Sequence, residues 1–118
     1  MPGIKLSIIL ESGARIGPGK AALLESIRQT GSISAAARDM GMSYKRAWLL
    51  LDSMNRAFKE PVTEAVTGGP GGGGAILTPF GADLLDRYRR MLAAANAAAV
   101  DDLVILGRAA LPDAGPKV

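Results

Sequence analysis

Two serines nine positions apart, Ser34 and Ser43, with Gly41 between them, constrain the fold more than any other feature of the chain. Serine favours the position just before a helix, where its hydroxyl accepts from a backbone N–H of the first turn. Glycine favours the position just past a helix end, because it adopts a left-handed backbone without a Cβ clash. The helix that Ser34 opens, Ala35 to Met40, is therefore short. Ser43 opens a longer one, from about Tyr44 to Phe58. Ala47, Leu50, Leu51, Met54 and Phe58 recur there at i, i+3, i+4, i+7 and i+11, so one face is buried. Two helices joined by a glycine-containing turn of about three residues form a helix-turn-helix.

The flanking segments complete a domain around this unit. Ile4 to Leu10 begins by alternating apolar and polar residues and is rich in isoleucine, which predicts a strand, with a turn-like link over 11–17. Pro18 suits the first turn of a helix over 18–30, whose Ala21, Leu24 and Ile27 share a face. Pro61 ends the third helical pattern. Val62 to Val66 and Ala75 to Thr78 then predict two strands of a hairpin with a glycine-rich tip over Thr67 to Gly74. Thr78 and Pro79 open a fourth helix, with Leu84, Leu85, Tyr88, Met91, Leu92 and Ala95 on its apolar side. Its helical pattern continues to about Leu106. The expected architecture is mainly α with a small β-hairpin: a winged helix-turn-helix with a long C-terminal dimerisation helix over 1–107, and a flexible tail over 108–118.

Composition removes most chemistry. The 118 residues include no cysteine and no histidine, so disulfides, thiolate or imidazole metal sites and histidine-based catalysis are excluded. No carboxylate pair converges in the pattern, and an enzyme is not expected. The glycine run lacks a following Gly-Lys-Ser/Thr, which argues against a phosphate-binding P-loop. Asp101 and Asp102 are adjacent on a helix and diverge, while Arg87, Arg89 and Arg90 are placed to pair with Asp83 and Asp86. No apolar run reaches membrane-spanning length, and Met1 to Lys5 lacks the features of a secretory leader, so cytoplasmic residence is expected.

The charge is unevenly placed. Of a net +3, residues 1–60 hold nine Lys and Arg against five Asp and Glu, whereas residues 61–118 hold five against six. The N-terminal half is the one suited to a polyanion. In a helix-turn-helix the second helix enters the major groove with its N-terminal side chains at base edges. Tyr44, Lys45, Arg46 and Trp48 stand there after Ser43; arginine bonds a guanine edge bidentately, and lysine reaches a base or a phosphate. Ala36 and Ala37 are small enough for close helix approach, and the glycine-rich hairpin offers backbone N–H groups to phosphates or the minor groove.

Three runs, Gly31-Ser-Ile-Ser-Ala-Ala-Ala37, Ser43-Tyr-Lys-Arg-Ala-Trp48 and Thr67-Gly-Gly-Pro-Gly-Gly-Gly-Gly-Ala-Ile-Leu-Thr78, resemble the N-terminal DNA-binding domain of the molybdate-responsive ModE regulators, a winged helix related to the LysR type. The resemblance covers roughly residues 5–95. It implies a homodimer with helices one and four in the interface, and a double-stranded DNA partner. The DNA-facing set it implies is Ser34, Ser43, Tyr44, Lys45, Arg46 and Trp48, with Thr67, Gly68 and Gly69 at the base of the wing. Full-length members carry C-terminal molybdate-binding domains; this sequence ends at Val118, so a small-molecule effector is not evident on it, and no cofactor is expected. Leu49-Leu-Leu51 departs from the pattern and is open between core and partner. The rival to a DNA-binding regulator is a winged-helix protein-interaction module, for which the apolar C-terminal helix and Leu49-Leu-Leu51 are the motive.

Overall fold

The computed structural model describes residues 3–69 and 72–112. In chain order the elements are β1 (Ile8–Ile9), β2 (Arg15–Ile16), α1 (Pro18–Thr30), α2 (Ile33–Asp39), α3 (Tyr44–Ala57), β3 (Thr63–Gly69), β4 (Gly72–Leu77), α4 (Pro79–Ala98) and α5 (Val100–Ala109). Among the described residues, five helices and two small antiparallel sheets, β1 with β2 and β3 with β4, make a winged helix-turn-helix.

The expected N-terminal strand is ladder-paired only at Ile8–Ile9, because the returning segment enters α1 at Pro18 and leaves only Arg15–Ile16 to pair. Its alternation survives all the same. Ile4, Leu6 and Ile8 turn inward while Lys5, Ser7 and Ile9 are exposed. Residues 4–6 are held by α4 instead of by a strand: the Ile4 N–H donates to Asn96 Oδ1 at 2.8 Å and the Tyr88 hydroxyl donates to the Leu6 carbonyl at 2.8 Å.

Helix α1 ends at Gly31, whose φ of 75° is the left-handed value glycine tolerates. Helix α2 corrects one expectation. Ser32, not Ser34, is its cap: Ser32 Oγ accepts from the Ala35 N–H at 2.9 Å, and Ser34 lies inside the helix. The earlier start turns Ile33, Ala36, Ala37 and Met40 toward the core at i, i+3, i+4 and i+7, burial that a start at Ser34 would forgo in part. Gly41, at φ 66°, makes the turn. Ser43 caps α3 as expected, its Oγ accepting from the Arg46 N–H at 3.0 Å.

The core joins Leu23, Leu24 and Ile27 of α1, Ala36 and Ala37 of α2, and Ala47, Leu51 and Met54 of α3. Val62, Ala75, Leu84, Leu85 and Tyr88 close it from the wing root and α4. Glu25 ties α1 to α4, receiving Arg28 at 2.8 Å and also Arg89, while Arg28 reaches Asp86 at 3.5 Å. The Arg28 hydrogen bond, assisted by the charge of Arg89, holds the Glu25 carboxyl below its usual range against a smaller opposing effect of burial. Arg87 pairs with Asp83 at 2.7 Å, as its spacing suggested.

The long last helix is in fact two. Helix α4 ends at Ala98, Ala99 departs from helical geometry at ψ 5°, and α5 runs on to Ala109. Past Tyr88 no residue of α4 is fully buried, Leu92 and Asn96 being half-buried, and α5 itself has no buried residue. Helix therefore reaches two residues into the expected tail; residues 113–118 of that tail lie outside the described residues. Among the described residues, no helix is long and apolar enough to cross a membrane.

Candidate nucleic-acid interface

Helix α3 divides cleanly into two faces. Ala47, Leu51 and Met54 are buried, while Tyr44, Lys45, Arg46, Trp48 and Leu49 are exposed. Burial of the first set against α1 and α2 fixes the rotation of the helix, and so fixes what it shows to solvent. Tyr44 is 53% exposed, Trp48 45% and Leu49 51%. The open choice over Leu49-Leu-Leu51 is thereby decided residue by residue: Leu51 belongs to the core, Leu50 is half-buried against it, and Leu49 faces out. Helical spacing places Lys45 and Leu49 on one outward stripe, with Trp48 on one flank and Arg46 on the other.

Trp48 lies on the wing side. With Asp52 and Asn55 of α3, and with Glu64, Ala65 and Ala75 of the wing, it lines a cleft of about 200 Å³. Asp52 is occupied by Arg56 at 3.0 Å.

The wing is antiparallel, pairing Thr63 with Leu77, Ala65 with Ala75 and Gly69 with Gly72, with an irregularity between Val66 and Gly69. Thr67, Gly68 and Gly69 belong to β3, and Gly72 to Gly74 belong to β4. The ladder thus extends into the glycine run expected to be all tip, because ladder bonds use only backbone groups. Pro70 and Gly71, the remainder of that tip, lie outside the described residues.

Three sets of bonds hold the wing to the helices. Asn55 Oδ1 accepts from the Val62 N–H at 2.7 Å and from the Thr63 N–H at 3.2 Å. The Ala75 N–H donates to the Gly31 carbonyl at 2.9 Å. Thr78 Oγ1 donates to the Pro61 carbonyl at 2.6 Å and accepts from the Gly81 N–H at 2.9 Å. Sequence reasoning missed Asn55, because its partners are fixed only when the chain folds back after Pro61. It also gave Ser34 a capping position that Ser32 holds; Ser34 is an exposed residue of the first turn of α2.

No protein-family model matches the chain. Individual proteins do. It is 51% identical over 82 residues to the molybdenum-pterin-binding protein MopB of Rhodobacter capsulatus. It is 41% identical over 85 residues to the DNA-binding transcriptional dual regulator ModE of Escherichia coli. It is 50% identical over 70 residues to the molybdenum transport protein ModE of Herbaspirillum seropedicae. Over the shared stretch this is a ModE-type chain. The matches take up 69%, 72% and 59% of the chain but 30%, 32% and 26% of those relatives, so it spans under a third of their length. In this ModE-type segment Trp48 is the residue of the exposed Tyr44–Leu49 face that lines the cleft shared with the wing.

Proposed function

We propose that this segment binds double-stranded DNA in a sequence-specific manner and serves transcriptional regulation. The observation that carries the reading is the exposed N-terminal half of α3. Tyr44, Lys45, Arg46 and Trp48 are presented outward by a helix whose other face is locked into the core. Such a helix end fits the major groove, where Arg46 suits a guanine edge and Lys45 a base or phosphate. Ser43 contributes by fixing the helix start. In this reading Ser34, at the start of α2, and Thr67, Gly68 and Gly69 of the wing make contacts to the DNA backbone or minor groove, which chiefly position the protein.

A homodimer is the second element of the proposal. Ten residues are too few for a helix to persist alone in water, yet α5 buries none of its side chains and exposes Val100, Val104, Ile105 and Leu106. A second copy covering α5 and the neighbouring part of α4 supplies the missing burial and matches the two-fold symmetry of operators. The same surface favours the rival reading, a protein-interaction module, which uses α5 without DNA. We place the segment in the cytoplasm, where its DNA target is, and take 1–107 with its helices as the folding unit. The molybdenum roles in the relatives' names belong to longer proteins and stay with them.

A mobility-shift assay on genomic fragments tests the proposal. Retarded fragments that share a sequence, with affinity falling steeply as salt rises, are expected. Arg46→Ala should weaken specific binding by about 1–3 kcal/mol and relax one base position. Sequence-indifferent binding, or none by a dimer that light scattering shows to be intact, would favour the interaction module.

A further inference from the structure

Leu49 is the one member of the outward α3 stripe that sequence resemblance leaves without a role. It is half exposed, one helical turn beyond Lys45 on the same face, and beside Trp48. Single exposed leucines are ordinary, but this one is not single. Tyr44, Trp48 and Leu49 put three large exposed side chains into the first six positions of a helix that also carries Lys45 and Arg46 there. A surface built only for phosphates has no use for that apolar area.

We infer that Leu49 is a specificity-determining residue that packs against the C5-methyl group of a thymine. The inference rests on the DNA-binding reading. Among the base edges in the major groove the thymine methyl is the apolar feature; every other group there donates or accepts a hydrogen bond. Leucine has neither donor nor acceptor, so in that groove it discriminates by this contact. The geometry also sets the position. A helix advances about 5.4 Å per turn and base pairs are spaced about 3.4 Å. The thymine therefore lies one or two base pairs from the position met by Lys45.

The experiment uses the intact chain and a duplex that the wild type enriches from a random pool. Each thymine is replaced in turn by uracil, which removes the methyl and keeps the hydrogen-bonding edge. Wild type should lose about fourfold in affinity at one thymine, the worth of one buried methyl-sized group. Leu49→Ala should bind the thymine and uracil duplexes equally, and Leu49→Met, which keeps an apolar contact, should restore the preference. That thymine should sit within two base pairs of the position whose preference relaxes in Lys45→Ala. Because Leu49 is outside the core, circular dichroism should show both variants folded as wild type. A destabilised protein loses affinity for both duplexes alike, so the ratio isolates the contact. Indifference of wild type to every uracil, or an unchanged ratio in Leu49→Ala, overturns the inference while the DNA-binding reading stands. A pool from which wild type enriches nothing overturns both.

Discussion

Gly81→Ala places two opposing effects at one position. Gly81 stands in the first turn of α4, where alanine is intrinsically better by up to about 1 kcal/mol. A Cβ built there, however, meets the Val62 carbonyl oxygen at 2.0 Å, its carbon at 2.8 Å and Val62 Cα at 3.1 Å. These are backbone atoms and cannot rotate aside. The Val62 carbonyl accepts from the Thr78 N–H at 3.0 Å, the Val62 N–H is held by Asn55, and the Val62 side chain is fully buried. Moving α4 outward by an ångström or more costs about 1–3 kcal/mol in strain and lost packing. The weakened Thr78–Val62 bond adds about 1 kcal/mol. Set against the helix gain, the net loss is about 2 kcal/mol, or roughly 10 °C in Tm for a chain of this size. Gly19→Ala is the control. Gly19 is also in the first turn of a helix that opens with proline, but nothing lies within 4 Å of its added Cβ. It should be neutral or stabilising by a few tenths of a kcal/mol. Urea unfolding followed by circular dichroism, at one fixed protein concentration, measures both. Equal or greater stability of Gly81→Ala would refute the close approach of α4 to the wing root.

Three further outcomes are expected. Ser32→Ala should cost about 1 kcal/mol through loss of the α2 cap, and Ser34→Ala within about 0.5 kcal/mol, so equal losses in thermal melts would place the cap wrongly. Removing Asn55 should cost about 2 kcal/mol or more, because the Val62 and Thr63 N–H groups lose their acceptor; Asn55→Asp, which keeps an acceptor, should be closer to wild type than Asn55→Ala in urea unfolding. Because Arg28, with Arg89, lowers the folded pKa of Glu25, its contribution is present above the ordinary value of 4.5 and is lost as pH falls through the lower folded value. Solvent screening keeps that contribution under about 1 kcal/mol; Glu25→Gln should lower stability at neutral pH and flatten the acid limb, and parallel pH curves for the two proteins would show that the network is idle.

Much of the surface proposed to meet DNA was legible because its determinants are local. The Ser43 hydroxyl reaches a backbone N–H three residues on, and the spacing of Ala47, Leu51 and Met54 sets which side of α3 is buried. Tyr44, Lys45, Arg46 and Trp48 then face outward by geometry alone. Leu49 was ambiguous because leucine is at home on either side of a helix, and its half exposure in the folded domain puts it outside. The glycine run announced a hairpin but hid its ladder, since β-propensity is carried by side chains and glycine has none.

The paired serines and Gly41 that mark the helix-turn-helix show the same division. By itself the sequence determined that a short helix, a glycine turn and a capped longer helix follow one another, because breakers and caps act over three or four residues. Tertiary structure decided that Ser32 takes the cap in place of Ser34, since the earlier start packs Ile33 against the core along with Ala36 and Ala37. It also decided where the last helix breaks and how the wing is tied to α3, α1 and α4. Those outcomes depend on bonds and packing between residues far apart in the chain, which exist only once the core has closed.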